Sequence, residues 1–492
     1  MNAGSQNSPG RVSSVRRKTK IIATLGPAVA NADAISRLVE AGMDVARLNF
    51  SHGTHEDHEQ NLRWVGEASE KHGRSVAVLQ DIQGPKIRVG TFPDSAITLS
   101  AGDEVSLLSG EDEAARGEIF IKYLDRVANL GPGDVIQLLD GRISLEIASM
   151  ETGIRATVIQ GGQLSDRQGA AFPGLEVDLP AITDKDRDDL RAGAEMGVDL
   201  VAASFVGNAG DVRSVRELTD DIPVIAKLER TVAYRALDEI VREADGVMVA
   251  RGDLGVELSW AALPRVQKDI IARTNAGGKI SITATEMLES MKGSFRPTRA
   301  EVTDVANAVF DGTDAVMLSA ETAIGKYPVR SVEVMNVICR EAEKSPELHL
   351  IAEDTFIAHA ARFPSAIAKA AVEVTHNLGI TNLACFTETG STARLLSKYR
   401  PAADIIAFTN NEPTFRRMAG YWGVRPRLIG RHETTDDLII AAGDALIAEG
   451  AVEPGEHVVM VAGIPPNQGA QTNLVQIHRV GSGMAGGSAR RG

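Results

Sequence analysis

Three residues able to move charge stand close together in this chain. Lys227 and Glu229 close the apolar run PVIAKLE, and Asp253 follows the next run, DGVMVAR, inside RGDLG. Two carboxylates at neighbouring strand ends can hold a hard divalent cation, and a lysine beside them can neutralise a transferring phosphoryl group or a carbonyl-derived oxyanion. The bland alternatives are a structural ion pair for Lys227 and Glu229 and a helix N-cap for Asp253. A helix start there, however, would also aim the backbone N–H groups of Gly252 and Asp253 at an anion such as a carboxylate. Arg47 and Arg88 are candidate clamps for phosphate or carboxylate, because a planar guanidinium donates paired hydrogen bonds. Thr285, in TATEMLESM, either bonds its own helix or relays a proton at the same mouth. His52, His55 and His58 crowd one region, but their spacing lacks a metal-binding pattern. They read as a partly solvated helix start, with His52 the one within reach of the mouth.

Such residues need elements to converge them. Apolar runs at 21–26, 44–50, 75–82, 199–205, 223–229, 245–251, 280–285 and 314–321 are separated by helical periodicity. Eight βα units with strands apolar throughout predict a closed (β/α)8 barrel, an α/β fold whose strand C-termini carry the chemistry. The polar residues of interest, Ser204, Ser319 and Glu321 among them, all fall at those ends. Residues 90–173 interrupt the pattern. Alternating polar and apolar residues and an Asp140-Gly141 turn predict a small inserted β-barrel of short antiparallel strands, a lid able to pivot over the mouth and exclude water. The catalytic barrel then comprises 16–89 and 174–345. Residues 346–480 read as a separate C-terminal α/β domain with strands LACFT, DIIAFT and HVVMVAG, while 1–15 and 481–492, rich in Ser, Gly and Arg, read as loose tails.

Composition narrows the function classes. The 492 residues are 43% hydrophobic, ample for a core, and the net charge of −14 argues against nucleic acid and anionic membranes as partners. Phosphate-bearing partners must be gripped locally. Arg16, Arg17 and Lys18 before IIATLGPAVANA imitate a signal peptide, but Gly26 and Pro27 break the run and no stretch approaches the ~18 apolar residues of a membrane span. Cys339 and Cys385 are too few for a disulfide framework, which predicts a reducing cytoplasm.

TKIIATLGPA, GMDVARLNFSHG, DIQGPKIRVG, LPAITDKD, KLE, MVARGDLGVE, TATEMLESM and RPTRAEVTDVANAVFDGTDAVMLSAET, in that order, resemble the pyruvate kinase family. The resemblance implies Mg²⁺, or Mn²⁺, on Glu229 and Asp253, with Lys227 and Arg47 at the transferring phosphoryl group. Gly252, Asp253 and Thr285 would receive the carboxylate of phosphoenolpyruvate. Asn49, His52, Arg88 and Lys185 would lie on the ADP/ATP side, and Thr285 would guide the proton that completes pyruvate. Many relatives hold K⁺ at positions matching Asn49, Ser51, Asp81 and the carbonyl of Ile82, and carry DTKGPEIR where this chain has DIQGPKIR. Lys86 thus replaces a glutamate. A lysine ammonium is charged at neutral pH and could supply the charge K⁺ otherwise provides, so K⁺ is not expected to be required. The roles of Gln83 and Glu286 stay open. In the C-terminal domain Thr387, Thr389, Gly390, Ser391 and Thr392 match the family's effector phosphate loop. GIPPNQGAQTN lacks the Arg and Trp that help some relatives hold fructose 1,6-bisphosphate, so AMP or a sugar phosphate is the expected effector. A homotetramer is implied. The competing readings are a Mg²⁺-dependent aldolase or mutase acting on pyruvate or phosphoenolpyruvate, and a non-catalytic metabolite sensor.

Overall fold

In the computed structural model, residues 16–219, 221–345, 348, 362–464 and 471–481 are described. Eight parallel strands close a barrel: β1 (Lys20–Leu25), β2 (Val45–Asn49), β3 (Ala77–Asp81), β4 (Leu200–Ala203), β5 (Val224–Leu228), β6 (Gly246–Ala250), β7 (Ile280–Ala284) and β8 (Ala315–Leu318). All eight expected strands are present. Hydrogen-bonded neighbours follow chain order around the ring, β3 pairing with β4 across the insertion, and β1 closes onto β8. Every residue of β5, β6 and β7 is buried, which is why these strands read as unbroken apolar runs rather than as alternation. Capping boxes built on Thr54, Thr183, Asn208 and Thr298 start four of the surrounding helices and fix where each strand-to-helix loop ends.

The insertion forms a six-stranded sheet ordered Ala170–Ala171, Val135–Leu138, Ile143–Ser149, Ile154–Gln160, Glu104–Ser109 and Glu118–Ile121, with a two-stranded ribbon of Ala96–Leu99 and Gly162–Ser165. One pair, Glu104–Ser109 with Glu118–Ile121, is parallel; the other ladders are antiparallel as expected. The incoming segment bridges the two edges of the sheet through Arg88 to Gly169 and Val89 to Ile121, curling it round its own core of Phe172, Ile136, Leu145 and Val158. Leu139, Asp140 and Gly141 all take positive φ, so the expected hairpin turns there through three left-handed residues.

The C-terminal sheet is ordered Val424–Leu428, Asp404–Thr409, Asn382–Phe386, His457–Gly463 and Thr472–Arg479, the last strand antiparallel. The three expected strands occupy its centre. Both edge strands escaped the sequence reading because Val424–Leu428 carries Pro426 between two arginines and Thr472–Arg479 is largely polar. The domain's core is continuous with the barrel interior: Met418, Ala419, Tyr421 and Leu395 share one apolar cluster with Leu79, Leu200, Met248 and Met317. The expected tails at 1–15 and 481–492 lie outside the described residues except for Gly481, as do 465–470 of GIPPNQGAQTN. Among the described residues no helix is long and apolar enough to cross a membrane.

Candidate active site

The C-terminal ends of β2, β3 and β5 bring four charged side chains into one buried network. Lys227 Nζ donates to Ser204 Oγ at 2.6 Å and lies 3.1 Å from Asp81 Oδ1 and 3.0 Å from Glu229 Oε1. Arg47 Nε donates to the other Asp81 oxygen at 2.6 Å, and its Nη1 reaches Thr24 Oγ1 at 3.0 Å. Asp81 is 1% exposed. Burial alone would raise its carboxyl, but Arg47 and Lys227 outweigh that and hold it below the usual carboxylate range. Burial likewise opposes the Lys227 ammonium, yet Asp81 and Glu229 keep it above the ordinary lysine value, so it is a fixed cation. In-register pairing of Asn49 with Asp81 sets β2 against β3 at this level, and the Ser204 hydroxyl donates to the Ile82 carbonyl at 2.7 Å.

Glu229 is 2% exposed, and its Oε2 accepts the Phe205 N–H at 2.5 Å. Burial pushes its carboxyl up, Lys227 pulls it down and the nearby Asp253 pushes it up again; the upward direction prevails. Two carboxylates that repel one another form a donor set suited to a hard divalent cation, which would relieve the repulsion. The residues therefore fit Mg²⁺ or Mn²⁺. Lys86 Nζ lies 3.0 Å from Asp253 Oδ1 and 5.8 Å from the centre of the Phe205 ring. Its ammonium reaches Asp253 and not Asp81, whose oxygens are taken by Arg47 and Lys227. Lys86, Glu229, Asp253 and Glu257 line one cleft with Gly169 and Ala170 of the insertion and with Val177 just after it, so the insertion borders the carboxylate pair.

Gly252 and Thr285 also meet. The Gly252 N–H donates to Thr285 Oγ1 at 2.8 Å, and the Thr285 hydroxyl donates to the Ala284 carbonyl at 2.6 Å. The Gly252 amide expected to face an anion is thus engaged by the threonine hydroxyl. On the expected nucleotide side, Lys185 Nζ joins the Phe50 carbonyl at 2.7 Å to Asp189 at 2.6 Å. The His52 side chain is exposed, and its carbonyl contacts His58 Nε2 at 3.0 Å. His55 pairs with Asp189 at 2.8 Å and His58 stacks on Phe50, so neither ring gathers at the mouth. Arg88 turns toward the insertion, donating to the Arg167 carbonyl at 2.8 Å. Asn49 Oδ1 accepts the Ser51 N–H at 3.3 Å.

The candidate effector loop sits far along the chain at the start of helix Ser391–Lys398. Gly390 takes φ +83°, its N–H donating to Thr387 Oγ1 at 2.9 Å, and Thr389 Oγ1 donates to Ser391 Oγ at 3.1 Å. Thr389 and Ser391 are exposed. Thr392 is buried and shares a 2.7 Å hydrogen bond with Thr472, so its hydroxyl faces the last strand, Thr472–Arg479, rather than the loop opening.

Several site residues were not singled out from the sequence. Arg251 braces the turn carrying Thr285, Arg230 donates to the Val177 carbonyl at 2.8 Å where the insertion rejoins the barrel, and burial pushes the Glu257 carboxyl up to about 7. Arg230 was adjacent to Glu229 and Arg251 to Gly252; the signal was position next to a candidate, which by itself carries no chemistry.

Residues 16–332 match the family model described as pyruvate kinase, barrel domain, and residues 365–478 match that described as pyruvate kinase, alpha/beta domain. A pyruvate kinase of Geobacillus stearothermophilus is 42% identical over 481 residues, covering 96% of this chain and 82% of the relative. One of Corynebacterium glutamicum is 42% identical over 473 residues, covering 94% and 98% respectively. One of Staphylococcus aureus strain MRSA252 is 39% identical over 478 residues, covering 96% and 82%.

Proposed function

The chain belongs to the pyruvate kinase family, and from that premise we propose that it transfers the phosphoryl group of phosphoenolpyruvate to ADP through the cluster of Lys227, Arg47, Glu229, Asp253 and Thr285. It is a phosphotransferase. The observation that carries the residue assignment is a buried, permanently charged Lys227 held by Asp81 and Glu229 beside a mutually repelling carboxylate pair. Phosphoryl transfer asks a protein for position and fixed charge rather than covalent chemistry, and this cluster is built of those two things.

Glu229 and Asp253 would hold Mg²⁺, or Mn²⁺, which when bound neutralises phosphoryl oxygens. Lys227 and Arg47 face the same oxygens from β5 and β2. As the bond from phosphorus to the enol oxygen breaks and the bond to the ADP oxygen forms, their positive charge is already oriented by Asp81 and needs no rearrangement. Gly252, Asp253 and Thr285 receive the substrate carboxylate, which displaces the Thr285 hydroxyl from the Gly252 amide. Carbon 3 of the enolate then takes a proton from water guided by Thr285, and the C2–O bond becomes the carbonyl of pyruvate. Asn49, His52, Lys185 and Arg88 lie on the ADP side under the lid.

Lys86 against Asp253 supports independence from K⁺, because a second ammonium is already bound within the charge network. The Thr387–Thr392 loop takes a phosphorylated effector, AMP or a sugar phosphate, and the enzyme works as a cytoplasmic homotetramer. A lactate dehydrogenase-coupled assay tests the core of this reading. ADP-dependent pyruvate formation is expected with Mg²⁺ and either Na⁺ or tetramethylammonium as the only monovalent cation, and a large rate rise on adding K⁺ would overturn the role of Lys86. Pyruvate formed without ADP would favour an aldolase or mutase, and none at all a sensor. A thermal shift with AMP or a sugar phosphate is expected; none with any phosphorylated metabolite sinks the effector assignment.

A further inference from the structure

Thr285 and Glu286 lie in the left-handed region, with φ +67° and +53°. One β-branched residue there is an outlier, and two consecutive non-glycine residues make a turn that relaxes unless something holds it. The holder is Arg251, which opens helix Arg251–Glu257 directly after β6 and is 6% exposed. Its Nε and Nη2 donate to the Thr285 carbonyl at 3.1 and 2.6 Å, and Nη2 also donates to the Glu286 carbonyl at 3.0 Å. Nη1 is anchored on Asp304 Oδ1 at 2.7 Å, from helix Arg299–Phe310. A planar fork bound to two successive carbonyls fixes both peptide planes, which an ammonium on a flexible stem cannot do.

The neighbouring residue completes the grip. The Gly252 N–H holds Thr285 Oγ1 at 2.8 Å while Arg251 holds the same residue's carbonyl, so one dipeptide clasps Thr285 by its hydroxyl and by its backbone. When substrate claims the Gly252 amide, the grip on the hydroxyl is lost while the guanidinium still holds the two carbonyls of the turn. We propose that Arg251 is a positioning residue that stores the strain of the Thr285-Glu286 turn and so keeps the Thr285 hydroxyl aimed at the reacting carbon, with Asp304 as its anchor. The inference rests on the reading above in which Thr285 serves the carboxylate and proton step.

The proton step can be isolated as Mg²⁺-dependent exchange of the carbon 3 protons of pyruvate into D2O, followed by NMR alongside kcat and KM. Four proteins are compared: the parent, Arg251→Lys, Thr285→Ala and the double variant. Arg251→Lys is expected to lower exchange and kcat by about tenfold or more with KM for ADP within about twofold, the pattern of misplacement rather than lost binding. In the Thr285→Ala background it should add less than about twofold, because residues acting through one another are not additive. An undiminished effect in that background, or unchanged exchange in Arg251→Lys, overturns the positioning role while leaving that of Thr285 standing. Undiminished exchange in Thr285→Ala overturns both. If Arg251→Lys fails to fold, Asp304→Asn, which frees the far end of the guanidinium, is put through the same comparison and is expected to act in the same direction with a smaller factor.

Discussion

Lys227 is the residue on which the charge balance of the mouth turns. Desolvation works against its ammonium, and only the two carboxylates within 3.1 Å reverse that. Because Asp81 also orients Arg47, losing the lysine removes one fixed charge and unsettles another. Lys227→Met is therefore expected to lower kcat on the order of 10³-fold, the scale found when an oriented electrostatic group is deleted from a water-excluded site. Phosphoenolpyruvate KM should move far less. A coupled assay on protein with an unchanged far-UV circular dichroism spectrum checks this, and a KM effect larger than the kcat effect would recast Lys227 as a binding group.

The elements contribute by holding loops in conformations the chain would otherwise avoid. The turn after β3 carries Gly84 at φ +67°, and a β-carbon there would lie 2.8 Å from the Ser204 carbonyl. The Gly84 N–H is fixed by Asp186 at 2.9 Å, so neither side of the turn can give way easily. This turn launches Lys86 and the segment that enters the insertion. Gly84→Ala is expected to cost about 1–3 kcal/mol in stability and to raise the KM for ADP more than that for phosphoenolpyruvate, through displacement of Lys86 and the lid. Denaturant unfolding and two-substrate kinetics provide the check; wild-type KM values for both substrates would show that the lid is insensitive to this turn.

At the scale of the whole molecule, the C-terminal domain is bound to the foot of the barrel by charge as well as by apolar packing. Asp314, just before β8, is 1% exposed and takes Lys398 on one oxygen and Arg400 on the other, the latter at 2.9 Å. Asp314→Ala takes the shared carboxylate away from buried Lys398 and Arg400 and is expected to cost about 3–5 kcal/mol, read as an earlier urea midpoint with the C-terminal domain leaving first. Lys20, at the foot of β1, donates to the Val424 carbonyl at 2.8 Å. Burial lowers its ammonium to about 8, with Asp44 pulling the other way. A base depressed on folding favours the folded state above its unfolded value and disfavours it as pH falls through about 8, so stability should rise between pH 8 and roughly 10.5. Lys20→Met should flatten that rise by roughly 1–3 kcal/mol, which the difference in melting temperature between the two proteins from pH 7 to 9.5 measures.

The sequence by itself determined the buried strands and the strand ends at which the charged residues sit. Strands buried on both faces must be apolar throughout, so the barrel, the hairpin at Asp140-Gly141 and the strand-end positions of Lys227, Glu229 and Asp253 were legible, because periodicity and turn chemistry are local. Edge strands such as Val424–Leu428 were not legible, since half their surface meets solvent and Pro426 with its flanking arginines hides the pattern. Only the tertiary structure decided which charges pair. Lys86 is five residues from Asp81 in sequence yet binds Asp253, 167 positions away, because the turn at Gly84 sends it into the cleft beside the insertion while Arg47 and Lys227 claim Asp81. Arg251 likewise acquired its meaning from Thr285 and Asp304, which reach it from β7 and the following helix. Charge pairing is a contest among all ionic groups within a few ångströms, and those distances exist only after the barrel has closed.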